Sequence, residues 1–540
     1  MRGLRTTGRI VRDHVDADVA IVGSGFGGAL TALLLRRLGR SVVLLERGHH
    51  PRFAIGESST PLANLLLEEL ADRYDLPRVR AFSKWGTWRR EHPGVVCGLK
   101  RGFSFFRHDP GEPFTDGPDH ARQLLVAASP HDEIADTHWY RPDFDAFLVR
   151  EAQEAGALYL DETMLGRPRF EPRGAVLEGS REGRDLLVTA RFVIDASGAR
   201  GYLQRALGLA DLPLRWMPAT EALYSHFADV ARWDRLLPPS SVPPYPIDDA
   251  AVHHVFPGGW MWVLRFTNGI TSAGAAVVSE QARALRLEEG GEAAWNRLLA
   301  GLPSVRAQFE ASGPVHPFVY SRHLAARTAT VCGPRWAMLP SAAGVVDPLL
   351  STGFPLNLLG IGRLVETLEA HWEGTGQGEA LARYARQTQD ELDATERLVG
   401  ALYATMADFE LFKRLTLLYF AAASFSETVR RLGRPEKARG FLLCADERFG
   451  PELAACCDGA LDRPRGEARD RLIDRIDRAI EPYDVAGLGD RSRRDWYPVR
   501  AQDLLHAAPK LGAAPSELAG LLERCGFSAA ATPADAVVTR

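Results

Sequence analysis

The chain has 540 residues, of which 46% are hydrophobic and 25% charged, with 50 glycines and 34 prolines. These fractions exclude disordered and fibrous proteins, and a net charge of −4 gives no electrostatic case for binding nucleic acid or an anionic membrane. No window of about 18 uncharged apolar residues predicts a spanning helix, and the arginine-rich N-terminus lacks the apolar region of an export signal. The six cysteines include no CxxC pair, so we predict a cytoplasmic protein with reduced thiols and no metal site.

The first fifty residues predict a dinucleotide-binding unit. A strand-like run at 18–22 leads directly into GSGFGG at 23–28, a helix-like segment covers 29–38, and a second buried strand at 41–45 ends in Glu46. This is GxGxxG in the context of strand, turn and helix that the motif requires. Its glycines allow a tight turn, close approach of a pyrophosphate and close helix packing, while the acid accepts from a ribose hydroxyl. We predict that the cofactor is bound by Gly23, Gly25, Gly27, Gly28 and Glu46.

Later segments indicate FAD as that cofactor. A second strand at 191–195 ends in the small-residue turn 195–198, and a third strand-like stretch is predicted at 328–331. A small-residue loop at 345–353 then opens a helical run over 356–372. One nucleotide fingerprint at the start, with a turn and a helix far later in the chain, is typical of flavoproteins whose FAD domain is discontinuous. No second GxGxxG follows a strand, so a separate NAD(P)H domain is not predicted.

The predicted fold class is α/β. We expect a discontinuous, Rossmann-like FAD-binding domain of the glutathione-reductase or hydroxylase type, with a substrate-side β-sheet and a C-terminal helical region. The FAD-binding domain is predicted over 15–90, 140–215 and 325–375. The substrate-side sheet domain is predicted over 90–140 and 216–325.

The C-terminal region, 376–540, has a helical pattern, for example over 381–409 and 411–425. We expect a loop at the proline-rich segment 238–244, because proline cannot donate to a central strand ladder. The tail at 528–540 has little to bury, and we expect it to fray.

Five short segments together resemble the flavin-dependent halogenases, the tryptophan-halogenase-like family. GESSTP at 56–61 resembles the family signature GES(S/T)xP, RPDFD at 141–145 resembles its RxxFD helix, and 193–198 resembles its VxDASG turn. The strand at 258–264 resembles WxWxIP, and DPLLSTG at 347–353 resembles the DPLxSTG loop. The similarity spans residues from about 15 to 375, and the C-terminal third carries no motif that we can attach. It adds four residues to the expected cofactor site: Ser58, Asp195, Gly198 and Asp347.

The resemblance implies a two-component FAD-dependent halogenase. In the family, a separate NAD(P)H:flavin reductase supplies reduced FAD, which reacts with O₂ to a hydroperoxide that oxidises chloride or bromide to hypohalous acid. The acid passes through a tunnel to a lysine beside an electron-rich aromatic substrate. Members specific for tryptophan carry Glu where this chain has Leu350, so we expect a small or carrier-protein-tethered phenol or pyrrole instead. Neither nucleic acid nor a membrane is an expected partner.

The halide and the lysine can be assigned by the same resemblance. Ser351, Thr352 and Gly353 are expected to bind the halide, because a turn that opens a helix offers N–H donors and a favourable helix polarity. The alternative is a turn that only faces the flavin pyrimidine, as in flavin hydroxylases. Lys100, in KRGFSF, fits the family's K-x-G-x-x-F setting, whereas Lys84, in KWGTW, fits its first half and lies at a more typical distance from the signature. Lys100 is preferred as the catalytic lysine and Lys84 is the alternative, while both could instead be surface lysines.

The tryptophan motif contains the main departure from the family. Trp260 and Trp262 are expected on one face of a strand, where the family pair is thought to keep organic substrate away from the flavin. Leu264-Arg265 replaces the family's Ile-Pro, and an ordinary aromatic core pair is the alternative. This departure keeps open an FAD-dependent monooxygenase of the same fold that hydroxylates an aromatic or peptide-bound substrate. A flavin-bound protein without turnover is disfavoured by the intact phosphate-binding glycines.

Overall fold

The computed structural model describes residues 12–237 and 241–527. Residues 238–240 of the expected loop and the whole expected tail, 528–540, lie outside these ranges. No helix within the described ranges combines the length and the apolar composition that crossing a membrane requires.

The first large sheet carries the nucleotide fingerprint. Its parallel strands lie side by side in the order Trp336–Met338, Arg184–Asp195, Arg12–Val22, Val42–Leu45 and Leu158–Leu160. Antiparallel strands extend it at Cys332–Gly333, Gly174–Arg181, Thr163–Leu165 and Arg169–Glu171. All four residues of Val42–Leu45 are buried, as expected for a parallel strand that is covered on both faces.

The second large sheet is mostly antiparallel. Its strands follow the order Gly313–Pro314, Thr220–Ala228, Thr271–Val278, Gly259–Arg265, Ala251–Phe256, Gly102–Arg107, Gln123–Ala127 and Trp496–Tyr497, and Val319–Ser321 also pairs with Thr220–Ala228. Strands Gly259–Arg265 and Thr271–Val278 form the expected hairpin, whose turn closes through a hydrogen bond from Phe266 N to Ile270 O at 2.9 Å.

Two short ladders complete the sheets. Cys97–Lys100 pairs with Asp136–Trp139, and Ala326–Arg327 pairs with Gly344–Val345. The first ladder brings together residues far apart in sequence and connects the region of the GESSTP segment to the second sheet.

Helices surround the sheets and form most of the C-terminal region. The longer α-helices are Phe26–Arg37, Pro61–Arg73, Arg141–Glu154, Gly291–Ala300, Gly353–His371, Gln377–Thr405, Phe409–Arg431, Phe449–Leu461, Glu467–Ile480 and Pro515–Arg524. The shorter ones are Pro77–Arg80, Trp85–Glu91, Tyr202–Leu207, Trp233–Leu236, Ser279–Ala284, Pro303–Gln308, Pro340–Ala343, Ala501–His506 and Ala508–Leu511.

One prediction about an individual element was wrong. Residues 328–331 form no strand, because their backbone bonds to three separate partners: Thr328 to Ala343, Ala329 to Ala210, and Val331 to Met338. The C-terminal region is mostly helical, as the predicted fold class has it, and Trp496–Tyr497 adds an edge strand to the second sheet. The helices expected at 356–372, 381–409 and 411–425 are present as Gly353–His371, Gln377–Thr405 and Phe409–Arg431.

Candidate active site

The glycine turn packs against the turn that follows the neighbouring strand. Gly23 has φ +100°, and a Cβ at that position would lie 2.6 Å from the Ala196 carbonyl oxygen, so only glycine fits. A Cβ on Gly28 would lie 1.9 Å from Gly23 O, which is why the helix can approach the turn so closely. Gly27 packs in the same way against Asn357 of the helix Gly353–His371. Gly23, Gly27 and Gly28 therefore let the glycine turn pack closely against the turn after strand Arg184–Asp195 and against the helix Gly353–His371.

Glu46 is held at the carboxyl end of its strand by backbone and side-chain donors. Ser24 N and Oγ each donate to Glu46 Oε2 at 2.9 Å, and Gly48 N donates to Oε1 at 3.0 Å. Burial opposes ionisation, but these donors and the nearby Arg52 outweigh it and lower the pKa of Glu46. The carboxylate is thus ionised at neutral pH and retains lone pairs for ribose hydroxyls.

Two arginines face the glycine turn. A Cβ on Gly25 would meet Arg141 Nη2 at 3.4 Å and Arg52 Nη2 at 3.5 Å. Arg141 forms a two-pronged pair with Asp145 at 2.7 and 2.8 Å, and its Nη1 donates to Ile55 O and Gly56 O, both at 3.0 Å. The guanidinium is therefore fixed beside the space left by the missing side chain of Gly25.

Unsatisfied polar atoms show that this region fits the phosphates and sugar of FAD. Arg52 Nε and Ser58 Oγ are buried without a hydrogen-bond partner in the described part of the chain. Buried polar atoms normally have partners, so an unpaired donor beside a glycine cradle and a helix N-terminus points to a bound anionic group. The residues present fit the group that the sequence predicts.

Asp195 and Gly198 shape the neighbouring turn. The Asp195 carboxylate accepts from Ser197 N at 2.9 Å, from Ser197 Oγ at 2.5 Å and from Leu203 N at 2.6 Å. The pKa of Asp195 is raised, because burial outweighs the lowering effect of these donors. Gly198, with φ +86°, has open space where a side chain would be. Asp195 therefore fixes the turn, and Gly198 leaves the space beside it free.

The segment expected to bind halide has a left-handed backbone. Leu350 has φ 65° and Ser351 has φ 56°, and the helix Gly353–His371 starts directly after Thr352. Tyr419 OH donates to Leu350 O at 2.9 Å, and open space surrounds the missing side chain of Gly353. Consecutive backbone N–H groups at such a turn can hold a small anion.

Asp347 lies at the start of this turn and faces the tryptophan strand. Its carboxyl group accepts from Leu349 N at 2.9 Å, from Trp260 Nε1 at 3.2 Å and from Tyr403 OH at 2.9 Å. Burial raises the pKa of Asp347 to about 7, against the lowering effect of these donors. Asp347 thus connects the turn to Trp260 rather than extending into open space.

Trp260 and Trp262 lie on the same face of strand Gly259–Arg265, as expected. Their ring centroids are 5.6 Å apart, and the side chains are 1% and 5% exposed. Arg265, at the position of the family proline, donates from Nε to Asp248 at 3.0 Å and from Nη1 to Val230 O at 2.9 Å. The added charge is therefore neutralised within the sheet and does not enter the space beside the tryptophans.

The two candidate lysines have different environments. Lys100 is fully buried at the end of its strand, where its Nζ donates to Ser59 O and lies 3.7 Å from the centroid of the Phe103 ring. Lys84 is about a quarter exposed and lies 3.9 Å from Glu68. Burial lowers the pKa of Lys100, and the nearby Asp136 opposes that shift.

A cavity of about 220 Å³ lies between the N-terminal half and the C-terminal helices. Lys84 and Asp136 line it, and Lys100 lies directly behind the lining residue Phe103. Its lining is mostly apolar and includes Phe103, Val126, Ile134, Tyr419, Phe420, Ala423, Val485, Leu488, Leu521 and Leu522. Tyr419 lines the cavity and bonds to the left-handed turn, so one side chain connects the two regions.

Several residues of this site could not be identified from the sequence. Nothing in the composition distinguishes Arg52 and Arg141 from the many other arginines, although Arg141 stands in the RPDFD motif. Asp136, Tyr403 and Tyr419 are brought to the site only by long-range packing. No local signal identifies them.

Comparison with known proteins agrees with this geometry. The family model described as tryptophan halogenase matches residues 137–412, which is more than half of the chain, and a model for an NAD(P)-binding Rossmann-like domain matches residues 21–64. Monodechloroaminopyrrolnitrin halogenase PrnC of Pseudomonas fluorescens is 28% identical over 402 residues, covering 73% of this chain and 69% of its own. Tetracycline 7-halogenase of Kitasatospora aureofaciens is 27% identical over 419 residues, covering 75% of this chain and 73% of its own.

Solved structures give the same fold. Halogenase PltM in complex with phloroglucinol and FAD superposes with a TM-score of 0.76 at 24% identity, covering 88% of this chain and 99% of that chain. The flavin-dependent brominase Bmp2 has a TM-score of 0.60 at 18% identity, covering 83% of this chain and 99% of that chain. These structures confirm the α/β fold. The family model and the curated relatives make the monooxygenase alternative unnecessary. The chain belongs to the tryptophan halogenase family and is an FAD-dependent halogenase.

Proposed function

We propose that this enzyme halogenates an electron-rich aromatic ring held in the cavity, with Lys100 as the catalytic lysine. The observation that carries the proposal is the position of Lys100, buried behind the wall of a mostly apolar cavity. That cavity is also lined by Tyr419, which bonds to the turn expected to bind halide.

The cofactor half has residues suited to the diphosphate and a ribose of FAD. Gly23, Gly25 and Gly28 leave room for the diphosphate, Arg52 and Arg141 supply positive charge beside it, and Glu46 accepts from the ribose. Bound reduced FAD, with O₂, supplies the oxidising power that converts a halide to hypohalous acid. A separate NAD(P)H:flavin reductase would provide the reduced cofactor, since the described residues hold one nucleotide fingerprint. All six cysteines are free thiols, which supports a cytoplasmic location.

The protein's own residues would then direct the oxidant. The N–H groups at Ser351, Thr352 and Gly353 hold the halide, and Trp260 with Trp262 fills the space that a ring would need in order to approach the flavin. Lys100 donates a hydrogen bond to hypohalous acid and orients it toward the substrate. Its lowered pKa also increases the fraction of neutral amine that could form a haloamine.

The lining of the cavity supports a small aromatic substrate. Its apolar side chains can bury a ring, and Asp136 offers a polar contact to a hydroxyl or pyrrole N–H. One relative is a chlorinase of pyrrole-2-carbonyl bound to a peptidyl carrier protein, 24% identical over 353 residues, and PltM was crystallised with phloroglucinol. A free or carrier-tethered phenol or pyrrole is therefore the substrate class that we propose.

The first experiment supplies the protein with FAD, a flavin reductase, NADH and bromide, together with a panel of phenols and pyrroles, free and carrier-bound. A product with the bromine isotope doublet, lost when bromide is omitted, is the expected result. A product heavier by one oxygen under the same conditions would contradict halogenation.

The lysine assignment is tested on the substrate found in that panel. Lys100→Ala and the better-matched Lys100→Met are expected to abolish halogenation while FAD binding and oxygen consumption persist. Lys84→Ala should retain most of the activity, because Lys84 is partly exposed and faces Glu68. Full halogenation by both Lys100 variants would show that the assignment is wrong.

A further inference from the structure

Asp136 is a buried carboxylic acid that no motif of the sequence identifies. It lies on strand Asp136–Trp139, and its Cα is the register partner of the Lys100 Cα across the antiparallel ladder. Side chains of directly opposed residues in such a pair lie on the same face of the sheet. Asp136 and Lys100 are therefore neighbours at one wall of the cavity.

The two oxygens of Asp136 differ in their surroundings. Asn64 Nδ2 donates to Oδ1 at 2.8 Å and fixes the carboxyl group. Oδ2 is buried and has no hydrogen-bond partner in the described part of the chain, although Asp136 is 4% exposed and lines the cavity. A buried acceptor without a donor is costly unless a ligand or another group completes it.

The charged groups around Asp136 come from two elements. Lys100 is on the paired strand, and Glu427 and Arg431 are on the helix Phe409–Arg431, where both also line the cavity. Arg431 is already committed to Glu427, whose Oε1 accepts from Arg431 Nε at 2.7 Å. Among the described residues, Lys100 donates a hydrogen bond only to Ser59 O. Its long, flexible stem allows the ammonium group to turn toward Asp136.

Halogenation of an aromatic ring requires a base. When the ring carbon attacks the halogen, a positively charged intermediate forms and must lose the proton of that carbon. Residues 350–353 include no acidic side chain, and the Asp347 carboxyl group at the start of the turn already accepts from Leu349, Trp260 and Tyr403. Asp136 is the cavity-lining carboxylate beside the proposed lysine.

We propose that Asp136 is the general base that takes the ring proton and returns it to Lys100. This inference rests on the function proposed above. The carbon–halogen bond forms as the O–X bond of hypohalous acid breaks, and the departing hydroxide takes a proton from the Lys100 ammonium and leaves as water. The ring C–H bond then breaks, its electron pair restores aromaticity, and its proton goes to the Asp136 carboxylate. Transfer of that proton to the neutral Lys100 amine restores both groups, so the net change is Ar–H + HOX → Ar–X + H₂O.

Kinetic measurements on the substrate found in the bromination panel test this role. Asp136→Asn is expected to lower kcat on the order of 100-fold, the usual contribution of a general base. Proton loss then limits the rate, so a ring-deuterated substrate should show a primary isotope effect that the unaltered enzyme lacks. Asp136→Glu should recover part of the rate, and the exposed Asp132→Asn serves as the matched control.

A second readout needs neither FAD turnover nor a substrate. The chain has five lysines, at positions 84, 100, 413, 437 and 510. Labelling lysine with ¹³C at Cε therefore gives an NMR spectrum with few signals, which Lys→Arg variants can assign. Lys100 should titrate at a lower pH than an exposed lysine, and Asp136→Asn should move its midpoint lower still, because a neighbouring negative charge is lost.

The outcomes separate this proposal from the function on which it rests. If the unaltered enzyme makes no halogenated product, the proposed function fails while the lysine titration still tests the pairing. Unchanged kcat in Asp136→Asn, or a loss of kcat without a ring isotope effect, would overturn the general-base role. If the midpoint of the Lys100 titration is the same in Asp136→Asn as in the unaltered protein, the proposed proton transfer from Asp136 to Lys100 would be wrong.

Discussion

Single buried acids carry much of the chemistry at this site. Asp347 begins the halide turn, yet its carboxyl group is turned toward Trp260 and Tyr403. It ties the turn to the tryptophan strand, so one side chain connects the proposed halide site to the proposed barrier between substrate and flavin. Burial is what raises its pKa to about 7, since all three of its donors act in the opposite direction.

This raised pKa predicts a pH-dependent contribution to stability. The folded protein favours protonated Asp347, so its contribution is complete below the ordinary pKa of 3.8 and is lost as the pH rises through about 7. Asp347→Asn cannot ionise and keeps that contribution. The unfolding free energy of the variant, relative to the unaltered protein, should rise by at least about 1 kcal/mol between pH 5 and pH 8.

Denaturant unfolding of both FAD-saturated proteins at each pH measures this difference. Asp132→Asn, which changes a half-exposed carboxylate, should show no such trend. A constant difference between the Asp347→Asn variant and the unaltered protein at all pH values would mean that Asp347 is ionised throughout.

At the scale of elements, the segment 55–60 links the cofactor region to the short ladder that carries Lys100 and Asp136. Arg141, at the start of its helix, binds the carbonyls of Ile55 and Gly56. Glu57 pairs with His226 of the second sheet at 2.7 Å, and Ser59 O accepts from Lys100. A short stretch without regular structure therefore contacts the nucleotide cradle, the substrate sheet and the lysine.

Arg141 is the point at which this segment meets the cofactor. Arg141→Leu removes a fixed positive charge beside Gly25 and releases two carbonyls. Loss of hydrogen bonds to a charged group costs about 1.5–3 kcal/mol, so the Kd for FAD should rise about 10- to 100-fold. Titration by flavin fluorescence measures it, and Arg150→Leu, on an exposed position of the same helix, is the control. An unchanged Kd would exclude Arg141 from the diphosphate site.

Over the whole molecule, the cavity is closed by the C-terminal region. The helix Phe409–Arg431 forms one wall, and the helix Pro515–Arg524 covers it with Leu521 and Leu522. An ion pair between Arg434 and Glu517, at 2.7 Å, anchors this closing helix. The region without any recognisable motif thus closes the cavity proposed to bind the substrate.

Shortening the closing residues should therefore affect the substrate and not the cofactor. Leu521→Ala combined with Leu522→Ala removes apolar contact with the ring, and we expect KM for the aromatic substrate to rise about tenfold with an unchanged Kd for FAD. Leu518→Ala is the matched control, because Leu518 is buried on the same helix and does not line the cavity. Equal KM values for the two variants would show that only helix stability had changed.

The sequence by itself determined the nucleotide half of this protein. The fingerprint at 23–28, the acid at Glu46 and the tryptophan pair are local patterns, because a tight turn or an alternating strand imposes its residue types over a few neighbouring positions. The long C-terminal helices were predictable from periodicity for the same reason.

Only the tertiary structure decided which side chains lie next to Lys100 and Asp347. Lys100 meets Asp136 through a register between strands 36 positions apart, and Asp347 meets Tyr403 across 56 positions. The motif around Lys100 already favoured it over Lys84, but the complete burial of Lys100 depends on packing, which no short motif specifies. Contacts of this kind depend on how whole elements pack, and packing is set by the sum of many weak apolar contacts rather than by the residues that it brings together.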